Sequence, residues 1–167
     1  MAEIRKAVGS DAEKILECLR IIGSETDNLT FGAEGVPLTV AQEQSFLESI
    51  YQSEKQVYLV AAENGEVIGT GSYSGSSRPR LAHRGEISVC VRKEAWGQHI
   101  GTQILEKLFD FARNTAKAEI ISPEVRSDNS RAIALYQKFG FKKIGTFPGF
   151  MKIDGKDIDC DIMCMHL

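Results

Sequence analysis

Long apolar runs, an excess of charge of one sign and abundant proline are all absent from this chain of 167 residues. The longest apolar run is Val57–Ala62, far short of the ~20 residues that a membrane-spanning helix needs. The 20 Lys and Arg against 23 Asp and Glu leave a net charge of -3, which disfavours a dedicated nucleic-acid-binding domain. The 4 prolines and 15 glycines exclude collagen-like and disordered chains.

Cysteine and histidine are also scarce, with 4 and 3 residues. No CxxC pair occurs and the histidines are scattered, so we predict no metal site, because zinc ligands come in clusters. The N-terminus lacks the apolar core of a secretion signal, so we expect a cytoplasmic protein whose thiols stay free. The cysteines and histidines are Cys18, Cys90, Cys160, Cys164, His83, His99 and His166.

The first third of the chain predicts a short strand followed by two helices. Ser10 and Glu13 have the spacing of a capping box before an apolar stripe with helical period, which predicts a first helix. Residues 23–38 are rich in turn formers and predict a loop. Thr39 and Gln42 then predict the cap of a second helix. The apolar stripes are Ala12, Ile15, Leu16, Leu19 and Ile22, then Val40, Phe46, Leu47 and Ile50.

The middle of the chain changes to a strand pattern. Val57–Ala62 and Val67–Tyr73 flank a turn over residues 63–66 and predict a hairpin. Glu86–Val91 alternates, with Ile87, Val89 and Val91 on one side and Glu86, Ser88 and Cys90 on the other.

Helices and strands alternate through the remainder of the chain. A helical stripe runs from Ile100 to Ala112, and Ala118–Val125 predicts a strand with an edge or a bulge at Pro123. The last predicted elements are a helix over Ser130–Lys138 that stops at Gly140, then strands over Phe141–Thr146 and Lys152–His166 with a turn at Asp154-Gly155. We predict a single domain over residues 1–167: a mixed α/β (α+β) fold with helices on both sides of a mixed sheet.

A glycine-containing turn, residues 92–102, joins the alternating strand to the next helix. The first backbone N–H groups of that helix have no intrahelical partner, and the helix dipole is positive there, so the turn is suited to an anion such as phosphate. Neither GxxxxGK[ST] nor a GxGxxG followed by an acid occurs, which removes support for ATP and NAD.

The segment Asn129–Phe141 has the pattern Asn-x-x-Ala-x-x-Leu-Tyr-x-x-x-Gly-Phe. Together with the strand, glycine turn and helix before it, Glu86–Phe141 resembles the GNAT superfamily of N-acetyltransferases. The resemblance implies a central mixed, mostly antiparallel sheet flanked by helices. It also implies transfer of an acetyl group from acetyl-CoA to a primary amine, by direct attack in a ternary complex.

The resemblance also implies a cofactor-binding set. The strand offers backbone groups to the pantetheine arm and thioester, the turn binds the pyrophosphate, and an asparagine contacts the arm. The family pattern Arg/Gln-x-x-Gly-x-Gly/Ala falls on residues 96–101, where Gly101 matches but Trp96 and His99 depart from the first and fourth positions. The implied residues are Val89, Cys90, Val91, Gly97, Gln98, His99, Ile100, Gly101, Thr102, Asn129, Ala132 and Tyr136.

Two residues are candidates for proton transfer. Tyr136 occupies the position of the family tyrosine that protonates the departing CoA thiolate, and its alternative is a core aromatic residue on the helix stripe. Glu86 begins the cofactor strand and is the candidate base that removes the proton of the amine. As alternatives, Glu86 is an ordinary exposed carboxylate at a strand end, or, as the resemblance allows, a chain of water molecules takes the place of a single base.

The sequence leaves the acceptor amine open: a polyamine or another small cationic amine, an amino acid, an antibiotic or a protein N-terminus. Six acids and no Lys or Arg lie between Arg20 and Lys55, which suits a cationic amine as well as an ordinary solvated surface. The basic loop of residues 78–84 is a second candidate surface, for the phosphates or for an anionic group of the acceptor. The alternatives are a non-catalytic acyl-CoA-binding module and, less favoured, a nucleic-acid-binding domain. Family analogy allows a homodimer.

Overall fold

Eight strands in one sheet organise the chain, and a computed structural model describes all of residues 1–167. The strands are β1 (Glu3–Lys6), β2 (Gln56–Glu63), β3 (Glu66–Gly75), β4 (Arg84–Val91), β5 (Ile120–Ser122), β6 (Glu124–Arg126), β7 (Lys142–Ile153) and β8 (Lys156–His166). The helices are α1 (Ala12–Glu25), α2 (Val40–Ile50), α3 (Ile100–Asp110) and α4 (Ser130–Lys138). A π-helical turn over Phe111–Thr115 extends α3.

The sheet is mostly antiparallel, with one parallel pair at its centre. Strands β1 to β4 pair in chain order as antiparallel neighbours. Helices α1 and α2 lie between β1 and β2 in the sequence. Strand β4 pairs in parallel with β5, but only over Arg84–Glu86. Strands β5 and β6 lie end to end along β8, whose other edge pairs with β7. The sheet therefore separates between β4 and β6.

Apolar side chains fill both faces of the sheet. The larger cluster lies under α3 and α4, and the smaller one lies under α1. Every member of the predicted α3 stripe is buried, including Ile104, Leu105 and Leu108 at 0% exposure. This burial explains why a short run of residues forms a stable helix here, because packing of an apolar face contributes more than intrinsic propensity does.

Several predicted boundaries are confirmed. Thr39 and Gln42 form a reciprocal capping box, with Gln42 N donating to Thr39 Oγ1 at 3.2 Å and Thr39 N donating to Gln42 Oε1 at 2.9 Å. Pro123 divides the predicted strand into β5 and β6, as expected for a residue that cannot donate to a ladder. Gly140 follows α4 with φ of +98°, a conformation that glycine adopts without strain.

Three details of the prediction are wrong. Ser10 and Glu13 do not cap α1; instead the Asp11 carboxylate accepts from Val8 N at 2.8 Å and pairs with the Arg5 guanidinium. Helix α1 continues to Glu25, into the predicted loop. Strand β7 continues past Thr146 to Ile153, with an irregular register between Phe147 and Met151.

The apolar stripe predicted for α2 is only partly buried. Val40 and Phe46, assigned to the inner stripe of α2, are 45% and 40% exposed, because only Glu43 and Leu47 of that helix face inward.

No helix has the length and apolar character needed to cross a membrane.

Candidate active site

A cavity of about 810 Å³ opens where β4 and β6 separate. Its walls come from the end of β4, the turn before α3, the first turns of α3 and α4, and the segment that follows α1. The end of α1 and the residues after it span the gap between β4 and β6. On the β4 side, Glu25 Oε2 accepts from Lys93 N at 2.8 Å. On the β6 side, Asp27 O accepts from the Arg126 guanidinium at 3.2 Å.

The edge of β4 that faces the cavity has no strand partner beyond Glu86. Val89, Cys90 and Val91 line the cavity at this edge. Val89 and Val91 pack against the cluster under α3, whereas Cys90 packs on the α1 side. The cavity therefore reaches both faces of the sheet, and unpaired main-chain groups of β4 are available to an extended ligand.

The turn before α3 presents backbone N–H groups to the cavity. Gly97 and His99 have φ of +79° and +61°, which turns the chain sharply into the helix. The first helical hydrogen bond runs from Gln103 N to His99 O at 3.0 Å, so the amides before Gln103 have no intrahelical partner. These donors and the helix dipole favour an anion at this end of the cavity.

Helix α4 supplies the wall opposite that turn. Asn129 Oδ1 accepts from Ala132 N at 3.2 Å and caps the helix, which leaves its amide N–H₂ group available to donate. Tyr136 lines the cavity and is 5% exposed, with its ring 5.4 Å from that of Phe141 in a T-shaped contact. Burial, and to a smaller extent the nearby Cys90, raises the pKa of Tyr136 above its ordinary value, so its hydroxyl stays protonated at neutral pH.

The other side of the cavity carries polar groups from distant parts of the chain. Thr26, Asp27 and Asn28 follow α1, and Arg126 ends β6. Arg126 makes a bidentate pair with Asp128, with Nε–Oδ1 at 2.6 Å and the second contact at 3.1 Å.

Comparison with known proteins identifies the family. A model of the Acetyltransferase (GNAT) family matches residues 26–141, which is most of the chain and includes every cavity-lining residue except Ile22. The chain belongs to this GNAT family. It is therefore an N-acetyltransferase, an enzyme of the acyltransferase class that uses acetyl-CoA.

Three relatives illustrate the GNAT match over nearly the whole chain. The L-methionine sulfoximine/L-methionine sulfone acetyltransferase of Pseudomonas aeruginosa is 28% identical and covers 99% of this chain and 95% of its own. A GNAT acetyltransferase structure from Streptococcus pneumoniae has a TM-score of 0.95 at 28% identity, with 100% of both chains covered. A phosphinothricin acetyltransferase from Sinorhizobium meliloti, solved with AcCoA, has a TM-score of 0.81 at 26% identity and covers 99% of this chain and 88% of its own. The predicted mixed, mostly antiparallel fold is confirmed.

The GNAT cavity gathers nearly all of the residues predicted for the cofactor. Gln98 is the exception: its side chain turns back to donate to Glu94 O at 3.1 Å and does not line the cavity. The residues that line it are Val89, Cys90, Val91, Gly97, His99, Ile100, Gly101, Thr102, Asn129, Ala132 and Tyr136.

Glu86 lies outside the cavity wall. Its side chain is 65% exposed, and its carboxylate is 3.8 Å from the Arg84 guanidinium. It shares a face of β4 with Ser88 and Cys90, and Ser88 Oγ is 2.9 Å from Ser72 Oγ on the neighbouring strand. Polar groups therefore extend along this face of the GNAT sheet from Glu86 to the cavity.

The two charged surfaces noted in the sequence contribute little to the cavity wall. Of the six acids between Arg20 and Lys55, only Asp27 lines the cavity. Glu43 is 3% exposed, and its burial raises the pKa of its carboxyl group. The basic loop of residues 78–84 precedes β4, at the opposite end of the strand from the glycine turn, and does not line the GNAT cavity.

Sequence reasoning did not find Arg126, Asp128 or Arg131, although all three line the cavity. They lie within three positions of Asn129, which the family pattern did identify. Their closeness in sequence to Asn129 is the one sequence feature that could have pointed to them. Their partners lie far away in sequence, such as Asp27 for Arg126, and no local pattern reports a contact of that kind.

Proposed function

We propose that this GNAT enzyme acetylates the α-amino group of a free amino acid or amino-acid analogue. One observation carries the proposal: a single cavity joins the anion-binding start of α3 to Arg126 on the other side. The whole-chain relative from Pseudomonas aeruginosa is named for two methionine derivatives, and phosphinothricin, named in the Sinorhizobium meliloti structure, is also an amino-acid analogue.

The cofactor half of the cavity fits acetyl-CoA. The amides at the start of α3 suit the pyrophosphate, and the unpaired edge of Val89–Val91 suits the amide groups of the pantetheine arm. The free N–H₂ group of Asn129 lies beside this path, and Ala132 provides a small surface there. Bound acetyl-CoA supplies the activated acetyl thioester.

Tyr136 is the proposed general acid. The hydroxyl is held in its protonated form by burial, and it lines the same cavity as Cys90. A tyrosine in this state can give its proton to the departing thiolate as the thioester bond breaks. The Cys90 thiol is an unsuitable nucleophile, because burial raises its pKa and keeps it protonated. Direct attack by the amine is therefore preferred to an acetylated enzyme.

Glu86 is the proposed base, acting at a distance. At ~3.3 Å per residue, it lies about 13 Å along β4 from Cys90, which is too far for direct proton transfer. Water held by Ser72, Ser88 and the Thr70–Cys90 pair, whose Oγ1 and Sγ are 3.1 Å apart, would carry the amine proton along this face to the Glu86 carboxylate.

Arg126 is the proposed anchor for the acceptor carboxylate. Its contacts to Asp128 and Asp27 use three N–H groups of the five that a guanidinium carries. The remaining donors suit a carboxylate. An amino acid bound in this way would place its amine between Arg126 and the end of β4.

The test is an acceptor panel assayed with acetyl-CoA for both release of the CoA thiol and acetylated product by mass spectrometry. We expect L-methionine sulfone and neutral L-amino acids to react better than their carboxamides, a polyamine or a short peptide. The Arg126→Gln variant should raise KM for amino acids and leave KM for the carboxamides unchanged. Reaction with the polyamine or peptide alone would refute the acceptor class. No thiol release with any amine would favour the non-catalytic alternative.

A further inference from the structure

Arg131 and Trp96 contact each other on the wall of the cavity. The Arg131 guanidinium carbon lies 4.3 Å from the centroid of the Trp96 ring, and both residues line the cavity. Trp96 is itself fixed, since its Nε1 donates to Val91 O at 2.9 Å. The contact therefore links the turn before α3 to the first turn of α4.

The charges on the cavity wall distinguish Arg131 from the other arginine. Arg126 already has a carboxylate partner in its bidentate pair with Asp128. Arg131 makes no hydrogen bond or ion pair with any carboxylate, and its charge contacts only the ring of Trp96. Of the two arginines that line this cavity, Arg131 is thus the one without a carboxylate partner in the protein.

A ligand with several phosphates needs such a charge. Acetyl-CoA carries a pyrophosphate and a 3′-phosphate, whereas the part of the turn before α3 that lines the cavity offers backbone N–H groups and includes no Lys or Arg side chain. Its Gly97 adds no side chain, and the Gln98 amide is turned away to Glu94 O. A cation stacked on an aromatic ring keeps its planar N–H donors free at the ring edge.

We propose that Arg131, held by Trp96, binds a phosphate group of acetyl-CoA. The proposal rests on the proposed function, because it assumes that the cavity holds acetyl-CoA. Arg131 acts here as a binding residue, and Trp96 acts as its positioning residue. The stacked ring limits the rotamers of the long arginine side chain before the ligand arrives, which lowers the entropy cost of the contact.

The first experiment measures the Kd of acetyl-CoA by calorimetry for three variants. We expect R131Q to weaken binding about fivefold to tenfold, the range of a charge-assisted contact at a partly exposed site. R131K should lose less, because it keeps the charge but not the planar stack. K138Q is the matched control: it removes a positive charge from the other end of α4, and it should bind as the wild type does. Equal binding by R131Q and wild type would overturn the proposal.

The second experiment changes the ligand. Loss of affinity in R131Q with acetyl-CoA but not with its 3′-dephospho analogue assigns the contact to the 3′-phosphate. Loss with both of these but not with acetylpantetheine assigns it to the pyrophosphate. The same loss with acetylpantetheine, which has neither group, would mean that R131Q damages the cavity and would overturn the proposal. Absence of binding to the wild type would instead refute the proposed function.

Trp96 allows a third measurement that does not depend on activity. It is the chain's single tryptophan, so tryptophan fluorescence reports on the surroundings of this residue. Binding of acetyl-CoA should change the emission of the wild type, and added salt should weaken the binding of the wild type more than that of R131Q. Equal salt dependence in the two proteins would count against the phosphate contact.

Discussion

Tyr136 packs as a core residue and lines the cavity as well, so its ring and its hydroxyl can be separated by mutation. Tyr136→Phe keeps the contact with Phe141, and the Tm should change little. We expect kcat to fall by about 100-fold, the lower end of the range for a positioned acid, with the Kd of acetyl-CoA unchanged. Turnover within about twofold of the wild type would assign Tyr136 to the core alone.

The protonation of Tyr136 gives a separate expectation for the pH profile. Burial raises the pKa of its hydroxyl, so the acid form persists above pH ~10, the ordinary tyrosine value. The wild-type rate should therefore show no loss from tyrosine ionisation below about pH 10. A decline at lower pH that disappears in Tyr136→Phe would contradict the direction of this shift.

Glu86 is exposed, so replacing it tests chemistry with little effect on packing. We expect Glu86→Gln to lower kcat about tenfold or more, because the amine proton loses its acceptor. Arg84→Gln is the matched control: it breaks the same 3.8 Å ion pair, which contributes little at an exposed site, and it should retain activity. Unchanged kinetics in Glu86→Gln would remove Glu86 from the mechanism and leave water alone as the proton acceptor.

At the scale of elements, the start of α3 depends on a residue in the left-handed region. His99 has φ of +61°, and this conformation explains why glycine is usual at that position of the family pattern. We expect His99→Gly to keep or raise the free energy of unfolding and to keep acetyl-CoA binding, because the backbone N–H groups are unchanged. His99→Val should lower the free energy of unfolding by about 1 kcal/mol or more, since a β-branched residue is strained there.

Gln98→Gly is the matched control for His99→Gly, and denaturant unfolding is the measurement for all three variants. Gln98 has no positive φ, so glycine should bring no gain at that position and should lower stability through the unfolded chain. Equal effects of glycine at positions 98 and 99 would show that the left-handed conformation of His99 carries no cost.

The elements also show which parts of this protein a sequence can predict. Helix α3 was predictable because its buried residues repeat with the period of a helix. The break between β5 and β6 was predictable because Pro123 has no backbone N–H to donate to a neighbouring strand. Helix α2 was predicted, but its inner face was not: a buried carboxyl at Glu43 and exposed side chains at Val40 and Phe46 reverse the expected pattern. The acceptor side was missed because Arg126 and Asp27 meet only through the fold.

At the scale of the whole molecule, the cavity lies between two parts of the sheet. Strands β1 to β4 form one part, β6 to β8 form the other, and the direct link at the gap is the short parallel pairing of β4 with β5. A ligand that contacts both β4 and α4 should therefore couple the two parts. At 100 times its Kd, acetyl-CoA should raise the free energy of unfolding by about 2.7 kcal/mol.

Hydrogen exchange measured by mass spectrometry distinguishes this coupling from local binding. We expect acetyl-CoA to slow exchange in the turn before α3 and also in β6 and the start of α4, on the far side of the gap. Acetylpantetheine reaches β4 but lacks the phosphates, and it should protect the β4 edge with less effect at the start of α3. Protection by acetyl-CoA confined to residues 92–102 would mean that the ligand binds one part only, because a ligand seated across the gap restricts opening on both sides.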